Sequence, residues 1–245
     1  MIKQDYFYDL EHVIPIVDFY SANLVENDAY DSFSEIFIKQ EYLKYLPNIQ
    51  LNKILDVGAN YGFFSLWLQT NNLNDEISSL MIESSPRCKR SLNKLVTKKS
   101  FNNKFKWINK AISNPKNKTV NFFDRPFMAS SSFKLNANES STMVDIVNAN
   151  EIFDNLNPPY DLIKCDIEGS EWEFLVFYSA VLRKSKYILL EWHSWHNGGG
   201  GLYQIKSKLD ELSFIIQKSS KPQMAYGRSG EVGIILAKNT NFQEQ

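Results

Sequence analysis

Between residues 53 and 212, short apolar runs alternate with stretches of helical periodicity, and that alternation restricts the fold more than any other feature. Strands that are each followed by a helix pair in parallel, which places helices on both faces of a central sheet. Residues 53–57, 79–83, 105–112, 119–123, 160–167 and 187–192 read as strands. Helices are expected over 62–70, after Pro86, over 170–178, and after the glycine run 198–201, where Leu202, Ile205, Leu209 and Leu212 share a face. Residues 130–141 read as loop with a short strand, and 144–156 leans toward helical spacing. The last two runs, 214–217 and 232–237, have no helix between them and suggest an antiparallel hairpin. Ahead of the alternation, Phe33, Ile36, Phe37, Gln40, Leu43 and Leu46 follow helical spacing up to Pro47. The expectation is an α/β domain over 49–245, with a mostly parallel sheet, preceded by a helical extension over 1–48.

The first strand runs into an acid and a glycine turn: Ile54, Leu55, Asp56, Val57, Gly58, Ala59, Asn60, Tyr61, Gly62. In open parallel sheets, ligands bind beyond the carboxyl ends of the strands. A carboxylate directly ahead of the first glycine opposes a pyrophosphate but suits a cationic, phosphate-free ligand. S-adenosylmethionine, with its sulfonium and ammonium, is such a ligand. Gly58 permits close backbone approach, Asn60 tolerates a left-handed turn, and Gly62 lets the next helix pack tightly. Glu83 ends the second strand, where an acid can accept both hydroxyls of a ribose.

A second block covers 161–173, with Asp166 at the strand end, Glu168 just beyond it and Gly169 at the turn. Asp166 and Glu168 are expected to face the cleft, and Ser170 with Glu173 reads as a capping box for the following helix. Cys165 reads as core.

Together these blocks resemble the FkbM family of S-adenosylmethionine-dependent methyltransferases. The resemblance rests on residues 54–62, on Ile163 to Glu171, on Ala111-Ile112-Ser113 and on Leu190-Glu191-Trp192-His193, and it covers roughly residues 50–195. It implies a Rossmann-like class I methyltransferase fold that moves a methyl group to a hydroxyl, on a glycan, nucleotide-sugar or small natural product. It also implies that Asp56, Gly58, Asn60 and Gly62 hold the methionine part of the donor, with Asp166 nearby. Glu83 would take the ribose, and Ser84 and Ala111 would flank the adenine.

Methylation of a hydroxyl gains from a positioned base. Asp166, Glu168, His193 and His196 stand at strand ends; His193 is the first choice, because Glu191 shares its strand face and could orient it. Asp166, Glu168, Glu191 and His193 also form an oxygen-and-nitrogen set of the kind that holds a divalent ion. The motif does not require one, so no metal is assigned. Trp192 and Trp195 offer stacking surfaces for a sugar, one of them more naturally core.

A formal net charge of −1 provides no global field for nucleic acid, which counts against an RNA or cap ribose methyltransferase. A catalytically silent cofactor-binding domain of the same fold is a further alternative. No window approaches a membrane span, the first residues lack a signal-peptide pattern, and the two cysteines form no paired motif. A cytoplasmic enzyme is the expectation. The N-terminal helices offer either a cover for the acceptor cleft or a homodimer face, and the sequence leaves both open.

Overall fold

The computed structural model describes residues 29–71, 77–99, 101, 103–123, 141–195, 201–224 and 230–243, and the backbone alone for 12–17 and 20–24. The expected loop and strand over 130–140, and His196, lie outside the described residues.

Strands β1 (His12–Val17) and β2 (Tyr20–Leu24) pair antiparallel, a hairpin that the helical expectation did not include. Helix α1 (Ala29–Phe33) continues into a π-helical turn at Ser34–Ile38, and a 3-10 turn follows at Leu43–Tyr45. Next come β3 (Lys53–Val57), α2 (Phe63–Asn71), β4 (Ser78–Glu83), α3 (Lys89–Val96), β5 (Phe105–Asn109), β6 (Thr119–Phe122) and β7 (Thr142–Asp145). The chain goes on through α4 (Ala149–Asn155), β8 (Tyr160–Cys165), α5 (Glu171–Phe177), α6 (Ser179–Leu182), β9 (Ser185–His193) and α7 (Leu202–Glu211). It ends with β10 (Phe214–Ser219), β11 (Gln223–Met224) and β12 (Glu231–Asn239).

The main sheet has the order β10-β12-β9-β8-β3-β4-β5, with β11 on β12. The pairs β9/β8, β8/β3, β3/β4 and β4/β5 are parallel, and β12 is antiparallel to both β9 and β10. Strand order therefore reverses at β3, between β4 and β8, the place where a cleft opens in such sheets.

Strand period two divides the core. Ile54 and Leu162 face α2, α3 and the N-terminal segment, while Leu55, Val57 and Ile163 face α5, α6 and α7. Helix α2 is buried from Phe63 through Thr70, so it lacks the polar stripe of a surface helix and needs cover on both sides. The N-terminal segment supplies that cover: Phe33 and Phe37 meet Phe63 edge-on at 5.8 and 6.2 Å, and Tyr42 meets Phe64 at 5.4 Å.

Two local expectations are corrected. β6 does not join the main sheet; it pairs with β7 in a separate antiparallel ribbon, where Val120 lies opposite Val144 and Phe122 packs with Ala111. Residues 144–156 divide because Asn148 accepts the amide hydrogen of Glu151 at 3.0 Å, a cap that starts α4 after β7 has ended.

Candidate active site

The glycine turn after β3 is built from left-handed residues: Gly58 has φ of 74°, Asn60 of 53° and Gly62 of 80°. A side chain at Gly58 would place its Cβ 1.7 Å from the carbonyl oxygen of Asp166, so only glycine lets the ends of β3 and β8 close together. At Gly62 a Cβ would meet Leu95 at 2.6 Å, which fixes how closely α3 packs.

Glu83, at the end of β4, binds this turn with one oxygen and the chain just after its own strand with the other. Oε2 accepts the amide hydrogen of Asn60 at 2.7 Å, and Oε1 accepts that of Ser85 at 2.7 Å. The Asn60 side chain donates to Ser32 Oγ at 2.7 Å, so the N-terminal segment is tied to the turn.

These groups line one cleft with about 1200 Å³ of open space, part of it continuous with solvent. Gly58, Asn60, Glu83, Ser84, Asp166 and Glu168 all border it. Four other expected residues do not. Ala111 is fully buried against β7, and Gly62 packs against α3. Asp56 shares the face of Ile54, so it points beneath α2, where it accepts from Ser65 Oγ at 2.7 Å. Burial raises its carboxyl pKa, and Lys164 and Ser65 offset part of that rise.

Lys164 is a central residue that the sequence reading passed over. It is 4% exposed, donates to the Gly58 carbonyl at 2.8 Å, and lies 3.5 Å from Asp166 and 3.8 Å from Asp56. Burial works against its charge, but Asp166, Asp56 and Glu191 outweigh burial and hold its pKa above the usual lysine value. Its signal was a single cation inside an otherwise apolar strand.

Tyr42 was also missed. Its hydroxyl lies 2.6 Å from Glu191 Oε2 and 3.2 Å from Asp166 Oδ2. Burial, then Asp166 and Glu191, drive its phenol pKa far above the ordinary value, so it remains a donor. Burial and then Asp166 raise Glu191, against the pull of His193, Tyr42 and Lys164, and leave it at about 7.

The expected Glu191–His193 pair does not form. His193 Nδ1 instead faces Glu171 Oε1 at 3.0 Å, with Nε2 4.0 Å from Glu168. Burial lowers the imidazole pKa, but Glu171, Glu168 and Asp166 reverse this and bring it to about 10. The ring is 4% exposed and outside the cleft lining, with one nitrogen on Glu171 and its pKa raised, a placement that does not suit a base for an acceptor in the cleft.

Glu171 also accepts the amide hydrogens of Ile167 and Gly169, at 3.0 and 3.1 Å. It thereby holds Glu168 at its positive φ of 53°, and Ser170 makes no capping bond. Asp166, Glu171 and His193 bring ligand-type atoms within 4.8 Å of one another, and Glu171 Oε1 is taken up by two amides and the His193 ring. Trp192 is core, and Trp195 packs on His193 at 4.5 Å. Burial raises the Cys165 thiol well above its usual range.

A second cavity, between the 39–45 turn and β12, is lined by Lys39, Lys44, Ser220, Gln223 and Gly233. It shares Glu41 and Glu191 with the first.

The architecture has solved counterparts. FkbM from Methylobacillus flagellatus aligns with a TM-score of 0.53 at 14% identity, over 95% of this chain and 50% of its own, so the chain spans about half the length of that methyltransferase. TrmK from M. capricolum, in complex with S-adenosylhomocysteine, aligns with a TM-score of 0.50 at 12% identity, over 85% of this chain and 70% of its own. Streptococcus pneumoniae Sp1610, described as a tRNA (m1A22) methyltransferase, gives 0.50 at 13%, over 84% and 72%. The fold is that of the class I methyltransferases. The sequence itself matches no family profile and no curated protein. Among the described residues, no helix is long and apolar enough to cross a membrane.

Proposed function

We propose that this protein is an S-adenosylmethionine-dependent O-methyltransferase of the FkbM type, acting on a hydroxyl of a neutral glycan or small natural product. The observation that carries the reading is Glu83: it ties the glycine turn to the end of β4 and borders the cleft with a carboxylate suited to a ribose diol. The turn accepts no side chain at Gly58, because the end of β8 fills that space, and this closure holds the turn at the border of the cleft.

The donor, when bound, supplies an electrophilic methyl group on a sulfonium. Gly58 and Asn60 receive its methionine part, Glu83 its ribose, and Ser84 with Ile112 the base. Asp56 and Lys164 support this floor from beneath. The base for the acceptor hydroxyl is Glu191, which borders both cavities and titrates near neutrality, as a general base should. Tyr42 orients it, Asp166 adds to the rise that burial gives its pKa, and His193 with Glu171 positions the turn that carries Glu168.

The cleft is bordered by Glu35, Glu41, Glu83, Asp166, Glu168 and Glu191 against Lys110 and Lys164. Such a border repels phosphate, which weighs against RNA and against nucleotide-sugars as acceptors. Titration calorimetry with S-adenosylhomocysteine tests the donor: binding is expected, at least tenfold weaker in Glu83→Gln, and no binding refutes the reading. Incubation with methyl-labelled donor and a panel of glycosides tests the acceptor. A product one methylene heavier at an oxygen is expected, and label transferred to RNA instead would refute it.

A further inference from the structure

The sheet order β9-β8-β3-β4 sets out the cleft in sequence: Glu83 stands at the end of β4, the glycine turn after β3, Asp166 after β8 and Glu191 on β9. A ligand with its ribose on Glu83 that crosses the glycine turn presents its far end to Asp166 and Glu191. On the donor reading proposed above, on which this inference rests, that end carries the sulfonium.

The charges there are unequal. Tyr42 has one hydroxyl hydrogen to place between two carboxylates, Glu191 at 2.6 Å and Asp166 at 3.2 Å. On β8, Lys164 already serves the Gly58 carbonyl, Asp166 and Asp56. On Glu191's own strand, His193 is turned toward Glu171. The 39–45 turn contributes Glu41 to both cavities, with Lys39 and Lys44 bordering the second cavity alone. From β12 the cross-strand partner of Glu191 is Ile234, which brings no charge. Glu35, at the rim, adds one more acid, whose pKa burial and then Glu41 and Asp166 raise to about 7. Two carboxylates that share one donor repel each other, and a cation placed beside them relieves that repulsion.

We infer that Glu191, backed by Asp166 and Glu35, makes the cleft select its ligand by charge, holding the cationic sulfonium donor and releasing the neutral thioether product. Glu191, raised to about 7, is about half protonated in the empty cleft at neutrality and ionises fully when a cation arrives, its proton passing to solvent. S-adenosylmethionine and S-adenosylhomocysteine differ by one methyl group and one positive charge, so the device separates them without a steric contact.

The test is calorimetry with both compounds between pH 5.5 and pH 7.0, a range below the α-amine titration at about 7.7–8.0. Over that range the ionised fraction of a group titrating at about 7 rises on the order of 15-fold. Affinity for S-adenosylmethionine is therefore expected to tighten about 5- to 15-fold, and that for S-adenosylhomocysteine less than about 2-fold. Sinefungin, which carries an ammonium in place of the sulfonium, is expected to follow the donor, and this comparison needs no variant. Glu191→Gln keeps an acceptor for Tyr42 and removes the charge. Glu35→Gln removes the other acid that titrates near 7 and is expected to keep the response; Glu191→Gln added to it is expected to abolish the pH response to the donor while S-adenosylhomocysteine still binds. An equal pH response to the two compounds, or a donor response that persists in full when Glu35→Gln and Glu191→Gln are combined, overturns the inference. Binding of neither compound overturns the donor reading, and this inference falls with it.

Discussion

Tyr42 donates its hydroxyl to Glu191 at 2.6 Å, a contact that joins the N-terminal segment to β9 across 149 positions of chain. The bond lowers the Glu191 pKa while burial and Asp166 raise it. Tyr42→Phe is therefore expected to move the Glu191 titration above 7, observable in carboxyl-carbon NMR. Hydrogen bonds to charged groups contribute about 1.5–3 kcal/mol, so urea unfolding near pH 8 should show a loss within that range. An unchanged titration would mean that the hydroxyl is not the partner of this acid.

Gly58 and Asp166 support a second prediction. Gly58→Ala combines a φ of 74° with a Cβ 1.7 Å from a backbone oxygen that cannot swing away. The ends of β3 and β8 must separate, at a cost of more than about 2 kcal/mol in stability. Binding of S-adenosylhomocysteine should be lost even where the variant folds. Gly62→Ala carries similar strain at a φ of 80° but meets only the flexible ends of Leu95, Met81 and Leu92, so it should cost less than Gly58→Ala. Thermal unfolding of the two variants side by side checks the order.

The parallel strands were legible because most of β3 and β8 is apolar and both faces of each are buried, as in a covered parallel sheet. The positions of Gly58, Asn60 and Glu83 on the cleft follow from that sheet. Asp56 was placed in the cleft for its neighbour Gly58. Period two instead puts it on the face of Ile54, and the polar marks of its true surroundings are Ser65 on α2 and Ser79 on β4, 2.8 Å apart. β6 was read as a main-sheet strand because Val120 and Phe122 alternate like one and alternation does not name a partner, while Val144 of β7 was taken into the helical run 144–156. Tyr42 was beyond reach, since nothing in a local pattern announces a contact with residues 166 and 191.

Lys164 separates two acids, and its removal should be felt at the buried one. Lys164→Met leaves Asp56, which is 0% exposed, without its cation. Breaking a buried pair from one side costs about 3–5 kcal/mol. The double variant Asp56→Asn with Lys164→Met is expected to recover most of that loss, because neither charge then remains stranded. Denaturant unfolding of the two singles and the double measures the coupling. Simple additivity would show that Lys164 serves only the Gly58 carbonyl.

His193 makes the protein's stability depend on pH in a stated direction. Its pKa stands at about 10 in the folded chain, against 6.5 for the free side chain. A folded pKa above the unfolded value means that the native state binds the proton more tightly. The stabilisation is complete below pH 6.5, where both states are protonated. It declines as pH rises past 6.5, because the unfolded state loses its proton first, and it is gone above about 10. The urea midpoint of the wild type should therefore fall between pH 7 and pH 10, by an amount worth a few kcal/mol. His193→Gln, which still donates one hydrogen bond toward Glu171, should be less stable at pH 6.5 and should lose most of that slope. Nitrogen-15 NMR of the imidazole reads the protonation directly. A ring found neutral at pH 7.5 would return His193 to the set of candidate bases and displace Glu191 from that role.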